Sequence, residues 1–241
     1  MKRNQSGFTL IEIAIVLVII GLLLGGVLKG QELINSAKVK NLATDFRNIP
    51  VFIYGYQDKF KSLPGDDAGV CAHLGGCPAS VPPGPAVLAT TPGTVGNGLI
   101  EGAWDSYTKT DESYLFWQHV RLAGLTSGPT VIPAAPALGD GYKPVNAVGG
   151  EIGIQSGTSL AASSPMTDIN GVAIRGTYII CSPNILGKFA KQLDIQLDDG
   201  NTQTGSMMVY DVSGGAYAIG KQSTATAAIN DADITVVCMG V

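Results

Sequence analysis

The chain is short of charge. Only 14% of its 241 residues are acidic or basic, and no cluster of lysine and arginine forms the basic patch that tracks a nucleic-acid backbone. Histidine is scarcer still: His73 and His119 are the two, and neither has a nucleophile or carboxylate at a spacing that builds a catalytic pair. No glycine-rich loop follows a strand pattern, as a phosphate cradle requires. Cys71 and Cys77, with His73 between them, lack a second pair at zinc-finger spacing. The acid pairs Asp66 with Asp67 and Asp198 with Asp199 sit in turn sequences, where exposed carboxylates are the default. These absences argue against an enzyme, a zinc module and a nucleic-acid binder, so no catalytic, metal or cofactor residue is assigned on strong grounds.

What the chain has is a long apolar run. From Phe8 to Leu28 the only charge is Glu12, and about 20 apolar residues suffice for a helix to cross a bilayer. Lys2 and Arg3 precede the run with no acid among them, which places the amino end in the cytoplasm and everything after Leu28 outside. A cleaved signal peptide needs a small-residue site of the A-x-A kind after the run. Gly25-Gly26-Val27-Leu28-Lys29-Gly30-Gln31 does not offer a good one. A plain signal anchor leaves Glu12 unexplained, because a carboxylate in an apolar span costs a few kcal/mol and marks a functional site.

Gly7-Phe8-Thr9-Leu10-Ile11-Glu12 resembles the processing and methylation motif of type IV prepilins and of the related pseudopilins of type II secretion. The resemblance implies that a prepilin peptidase/N-methyltransferase cuts after Gly7 and methylates the new terminus, Phe8. Residues 1–7 are then a leader, and Glu12 pairs with the freed amine of Phe8, its own or a neighbour's, setting the axial register of a fibre. The further partners implied are other copies of the chain, an inner-membrane assembly platform and an outer-membrane secretin. Loss of Lys2 and Arg3 with the leader turns a formal charge of −4 into −6, from 13 basic and 19 acidic residues.

The expected fold is α+β and pilin-like. A long amino-terminal helix over residues 8–62, of which 8–28 spans the membrane or packs the fibre core, lies against an antiparallel sheet in a head over residues 63–241. Leu42, Phe46, Ile49, Ile53, Tyr56 and Phe60 form a helical apolar stripe, so Phe8 to about Lys61 reads as a rod of roughly 80 Å. Gly21, Gly25, Gly26 and Gly30 weaken its first half, and Pro50 is expected to kink its second. Ser62-Leu63-Pro64-Gly65-Asp66-Asp67 ends it, and loop follows to Gly98, Pro- and Gly-rich from Pro78 to Gly96. A second helix starts near Asp111 as its cap, carries Leu115, Phe116, Val120 and Ala123 on one face, and stops at Gly124. Phe116 and Trp117 read as core, and Thr126 to Asp140 as loop. Strands are expected over Val145–Ile154, Val172–Ser182, Met207–Val212, Ala216–Ile219 and Ile234–Met239. A helix carrying Ile185, Phe189, Leu193 and Leu197 is expected between the second and third.

Four cysteines in an exported chain read as two disulfides with three connectivities open. Cys71 with Cys77 closes a small loop, and Cys181 with Cys238 ties down the tail; a carboxyl-terminal disulfide loop is what resemblance to type IV pilins implies. Asp194, Asp198, Asp199 and Asn201 could offer oxygens to calcium, with Asp198, Asp199 and Asn201 as the possible ligands. Their spacing lacks the pattern of a calcium loop and its distal Glu, so a helix end running into an Asp-Gly turn is the expected reading. The expected function is a pilin, anchored in the inner membrane before assembly and extracellular after it. A pseudopilin or minor pilin is the alternative, and an anchored periplasmic enzyme or binding module the outsider.

Overall fold

The computed structural model describes residues 9–77 and 85–241. Gly7, Phe8 and the leader lie outside the described residues, as do residues 78–84 of the Pro-rich segment. The chain divides into two compact units, one ending at Lys38 and the other Val39–Val241.

Helix α1 runs Leu10–Phe60, 51 residues, and continues through Pro50. In the first unit its aliphatic side chains from Leu10 to Leu28 are exposed, with Leu33 and Ile34 beyond them. In the second unit the stripe faces inward: Val39, Leu42, Phe46, Ile49, Ile53 and Tyr56 are buried at steps of three and four, with Ala43 beside them. The helix stops because Lys61 turns into the left-handed region, φ 57°, ahead of Pro64.

The sheet that covers this stripe has four antiparallel strands: β1 (Gly153–Ser156), β3 (Tyr178–Leu186), β4 (Met207–Asp211) and β6 (Ile234–Gly240), in the order β1-β3-β6-β4. A small parallel pair joins β2 (Met166–Thr167) to β5 (Lys221–Gln222). Side chains alternate across the sheet. Tyr178, Ile180, Met207, Val209, Val237 and Met239 join the cluster built on α1, while Ile179, Cys181, Met208, Val236 and Cys238 pack with Trp104, Met166 and Ile174 on the other face. Both faces are covered, so the strands are continuous apolar runs in the sequence. Helix α4 (Gly187–Leu197) joins the α1 side through Phe189, Ala190 and Leu193.

Helix α3 (Glu112–Leu122) is a peg around which the loops are hung. Glu112 through Arg121 are all buried, polar residues included, which an apolar face alone does not explain. Several of their polar atoms bond to loop backbone. The Gln118 amide accepts from Val87 N and donates to the carbonyls of Pro85 and Thr130; Arg121 donates to Pro129 O, Ser113 to Ala103 O, and Glu112 accepts from Glu101 N. Segments with little regular structure thereby satisfy their peptide groups.

Several expectations are corrected. Asp111 precedes α3 but makes no side-chain cap; its carboxylate accepts from Thr91 and Ser106 hydroxyls, which hold the preceding loop. Residues 145–152 form a turn fastened by the Val145–Glu151 bridge and by Asn146, whose Oδ1 accepts from Val148 N and Gly150 N, so the strand begins only at Gly153. Val172–Ser182 shifts to Tyr178–Leu186, and Ile185 belongs to β3, opposite Thr235, not to the helix. A register shift with Asn184 at φ 65° carries β3 past Pro183 into α4. Ala216–Ile219 is not a strand; Tyr217 is used instead to cover Trp104, whose indole N–H donates to its hydroxyl at 2.9 Å. The loop holding His73 contains a single helical turn, α2 (Val70–His73).

If the α1 stripe is what docks the sheet, Ile53→Ala at 0% exposure should cost about 2–5 kcal/mol in denaturant unfolding of the full chain in detergent. Val51→Ala, two residues away and 63% exposed, should stay within about 0.5 kcal/mol.

Candidate functional site

At the start of α1, Thr9 and Glu12 close a reciprocal pair. Thr9 N–H and Thr9 Oγ1–H both donate to Glu12 Oε2 at 2.7 Å, and Glu12 N–H donates back to Thr9 Oγ1 at 3.3 Å. This is a capping box, T-x-x-E, with Thr9 at the N-cap and Glu12 at N3. Thr9 was legible as a site residue from that spacing alone, although the prepilin resemblance points to Glu12 and not to it. The cap leaves the carboxylate beside the backbone that follows Phe8, at the positive pole of the helix. From Ile13 to Leu28 no charged side chain follows it. The helix has a stretch of mean hydropathy 2.8, apolar and long enough to cross a membrane, with none of that stretch buried.

The turn that ends α1 holds two further acids, and here the expectation of exposed carboxylates fails: Asp66 and Asp67 are buried. Asp66 accepts from the backbone N–H of Gly96, Asn97 and Gly98, pinning the distant loop. Asp67 accepts from Tyr56 Oη and Gly69 N and sits 2.7 Å from His73 Nδ1. Burial alone would raise the Asp67 carboxyl, but the bonds from His73, Tyr56 and Gly69 hold it below its ordinary value. Gly65 stands at φ 95° against the Glu112 carbonyl, where a Cβ would collide with α3. His119 completes the joint: Gly65 N–H donates to its Nδ1, and its Nε2–H donates to Val87 O. These partners require the neutral ring. Both histidines are therefore fasteners of the turn, and neither has a serine or cysteine nucleophile among these partners.

The structure joins Cys71 to Cys77 and Cys181 to Cys238, the latter pair directly opposite each other on β3 and β6. Asp194, Asp198 and Asp199 converge at the end of α4. Asn201 lies beside Asp199, to whose Oδ1 its N–H donates, and its side-chain oxygen accepts from Gln203 N. A groove of about 570 Å³ between residues 99–103 and 155–158 carries the carboxylate of Glu101, which accepts from Asn97 Nδ2.

Residues 2–28 match the family model of the prokaryotic N-terminal methylation motif, the type IV prepilin-like signal. No curated protein and no solved structure matches the chain.

Burial pushes the buried His119 down to about 4 from an ordinary 6.5. The folded state thus refuses a proton that the unfolded chain accepts, so this contribution is complete above pH 6.5 and is lost as pH falls toward 4, by about 3 kcal/mol. Glu112, pushed up to about 7 by burial, acts in the opposite sense and loses its contribution as pH rises through 7. Because Glu112 offsets His119 over much of this range, the test is the difference between the two proteins: His119→Gln should be less stable at pH 7, and the gap should shrink as pH falls from 6.5 to 4, measured by urea unfolding of both across that range.

Proposed function

From a chain that bears the type IV prepilin-like signal at residues 2–28, we propose a structural subunit that polymerises into a type IV pilus. The prepilin peptidase/N-methyltransferase removes residues 1–7 and methylates Phe8. The chain waits in the inner membrane with its amino end in the cytoplasm, passes through an assembly platform and a secretin, and ends in an extracellular fibre. The observation that carries this reading is the exposed, charge-free helix surface from Ile13 to Leu28, headed by one carboxylate. A lipid bilayer covers such a surface before assembly, and the same surface of other copies covers it afterwards.

Glu12 does two jobs in succession. In the precursor its carboxylate caps α1 through Thr9. After cleavage a cationic amine lies one residue before Thr9, and in the apolar fibre core that amine and Glu12 neutralise each other. An ion pair in such surroundings costs about 3–5 kcal/mol to break, because the remaining charge is stranded. Val51 and Tyr54, exposed on α1 within the head unit, supply further apolar contact to neighbours. The Cys181–Cys238 bond ties the tail into the sheet and favours a pilin, exposed to the outside, over a periplasmic pseudopilin.

Glu12→Gln separates the two jobs, since glutamine still accepts from Thr9 but carries no charge. The variant should accumulate in the membrane at wild-type level, yet release at least about tenfold less chain as fibre when cells are sheared, as loss of a buried pair implies. Wild-type fibre yield from this variant would refute the pairing. Absence of the wild-type chain from sheared fibres, with retention in the periplasm, would favour the pseudopilin.

A further inference from the structure

The end of α4 is electrostatically incomplete. Asp194 is wholly buried, and among the described residues neither of its carboxylate oxygens has a hydrogen-bond partner. Protonation would remove the charge but leave an O–H that itself needs an acceptor. One turn on, Asp198 and Asp199 bring their carboxylates to the same place, and ligand oxygens of all three lie within 4.8 Å of one another. The carbonyl end of a helix favours cations, yet the last turn of α4 carries no basic residue. Three acids thus meet at the helix pole that suits them least.

Their geometry is fixed from the other side by the turn leading to β4. Met207 N–H donates to Asp198 Oδ2, Asn201 N–H to Asp199 Oδ1 and Thr204 Oγ1–H to Asp199 Oδ2, each at 2.8 Å. Gly205, at φ 81°, has no side chain where the Asp198 carboxylate packs. We propose that Asp194, Asp198 and Asp199 hold one hard divalent cation, best suited to calcium, at the join between α4 and the turn before β4. Calcium takes oxygens at about 2.3–2.6 Å, so two ligands of one ion can stand up to about 5 Å apart in irregular arrangements. Magnesium demands a tighter, near-ideal octahedron. Asp199 is exposed, so water can complete the shell on that side. The ion would fasten α4 to the edge strand β4, which pairs with the disulfide-bearing β6.

The test is thermal unfolding of the full chain in detergent, with chelator or with calcium raised to about 10 mM. That is ten times the weak end of the 10⁻⁴–10⁻³ M range of extracellular calcium modules. Tm should rise by about 3–5 °C, with one ion bound per chain by equilibrium dialysis. Asp199→Asn, at an exposed position, should fold and, measured against its own Tm in chelator, lose most of the calcium shift. Asp194→Asn should abolish the shift; if it fails to fold, Asp199→Asn decides alone. No calcium-dependent shift in the wild type, or an equal shift in Asp199→Asn, would overturn the site.

Discussion

A single carboxylate on an otherwise apolar helix surface sets the terms for this molecule. Glu12 cannot stay uncompensated in a medium of low dielectric, and the chain offers it two partners in sequence. Thr9 supplies hydroxyl and backbone donors while the helix begins, and proteolysis beside Phe8 would supply a cation. The surface that follows Glu12 supplies no cation of its own, because no Lys or Arg occurs between Ile13 and Leu28. On the proposed reading, charge neutralisation and helix packing would be one event, with the carboxylate a register mark as well as a stabilising contact.

The same helix solves a different problem in its second half. There the apolar stripe from Val39 to Tyr56 is covered by a sheet that is itself covered on its far side, so the strands are buried on both faces. Much of the remaining head has no ladder to satisfy its peptide groups. Buried polar side chains do that work: Asp66 gathers three backbone N–H groups of one loop, and Gln118 binds two others. A head poor in charge can afford few such residues, and those it has are placed where long loops must close.

What was legible in the sequence follows from the range of each interaction. The α1 stripe, the α3 position and three of the four sheet strands show as local periodicity or apolar runs, and Gly7 to Glu12 shows as a compact motif. The strand expected at Val145–Ile154 was misplaced because Asn146 organises a turn through bonds to Ser182 and Pro183, which lie far along the chain. Asp66 and Asp67 read as a surface turn because their partners, Gly96 to Gly98 and Tyr56 with His73, are not visible in their own neighbourhood. Asp111 looked like a cap and serves the preceding loop. At the acid cluster the spacing lacked a known loop pattern, while burial of Asp194 without a hydrogen-bond partner among the described residues is a property only of the folded chain.

The central claim is that cleavage creates the cation Glu12 requires. The most direct measurement is the mass of the amino-terminal peptide of the chain recovered from the cell envelope and from sheared material. A peptide beginning at Phe8 and bearing one methyl group on its amine is the predicted result. A mature chain that retains Met1 to Gly7, or one that begins beyond Leu28, would contradict the account.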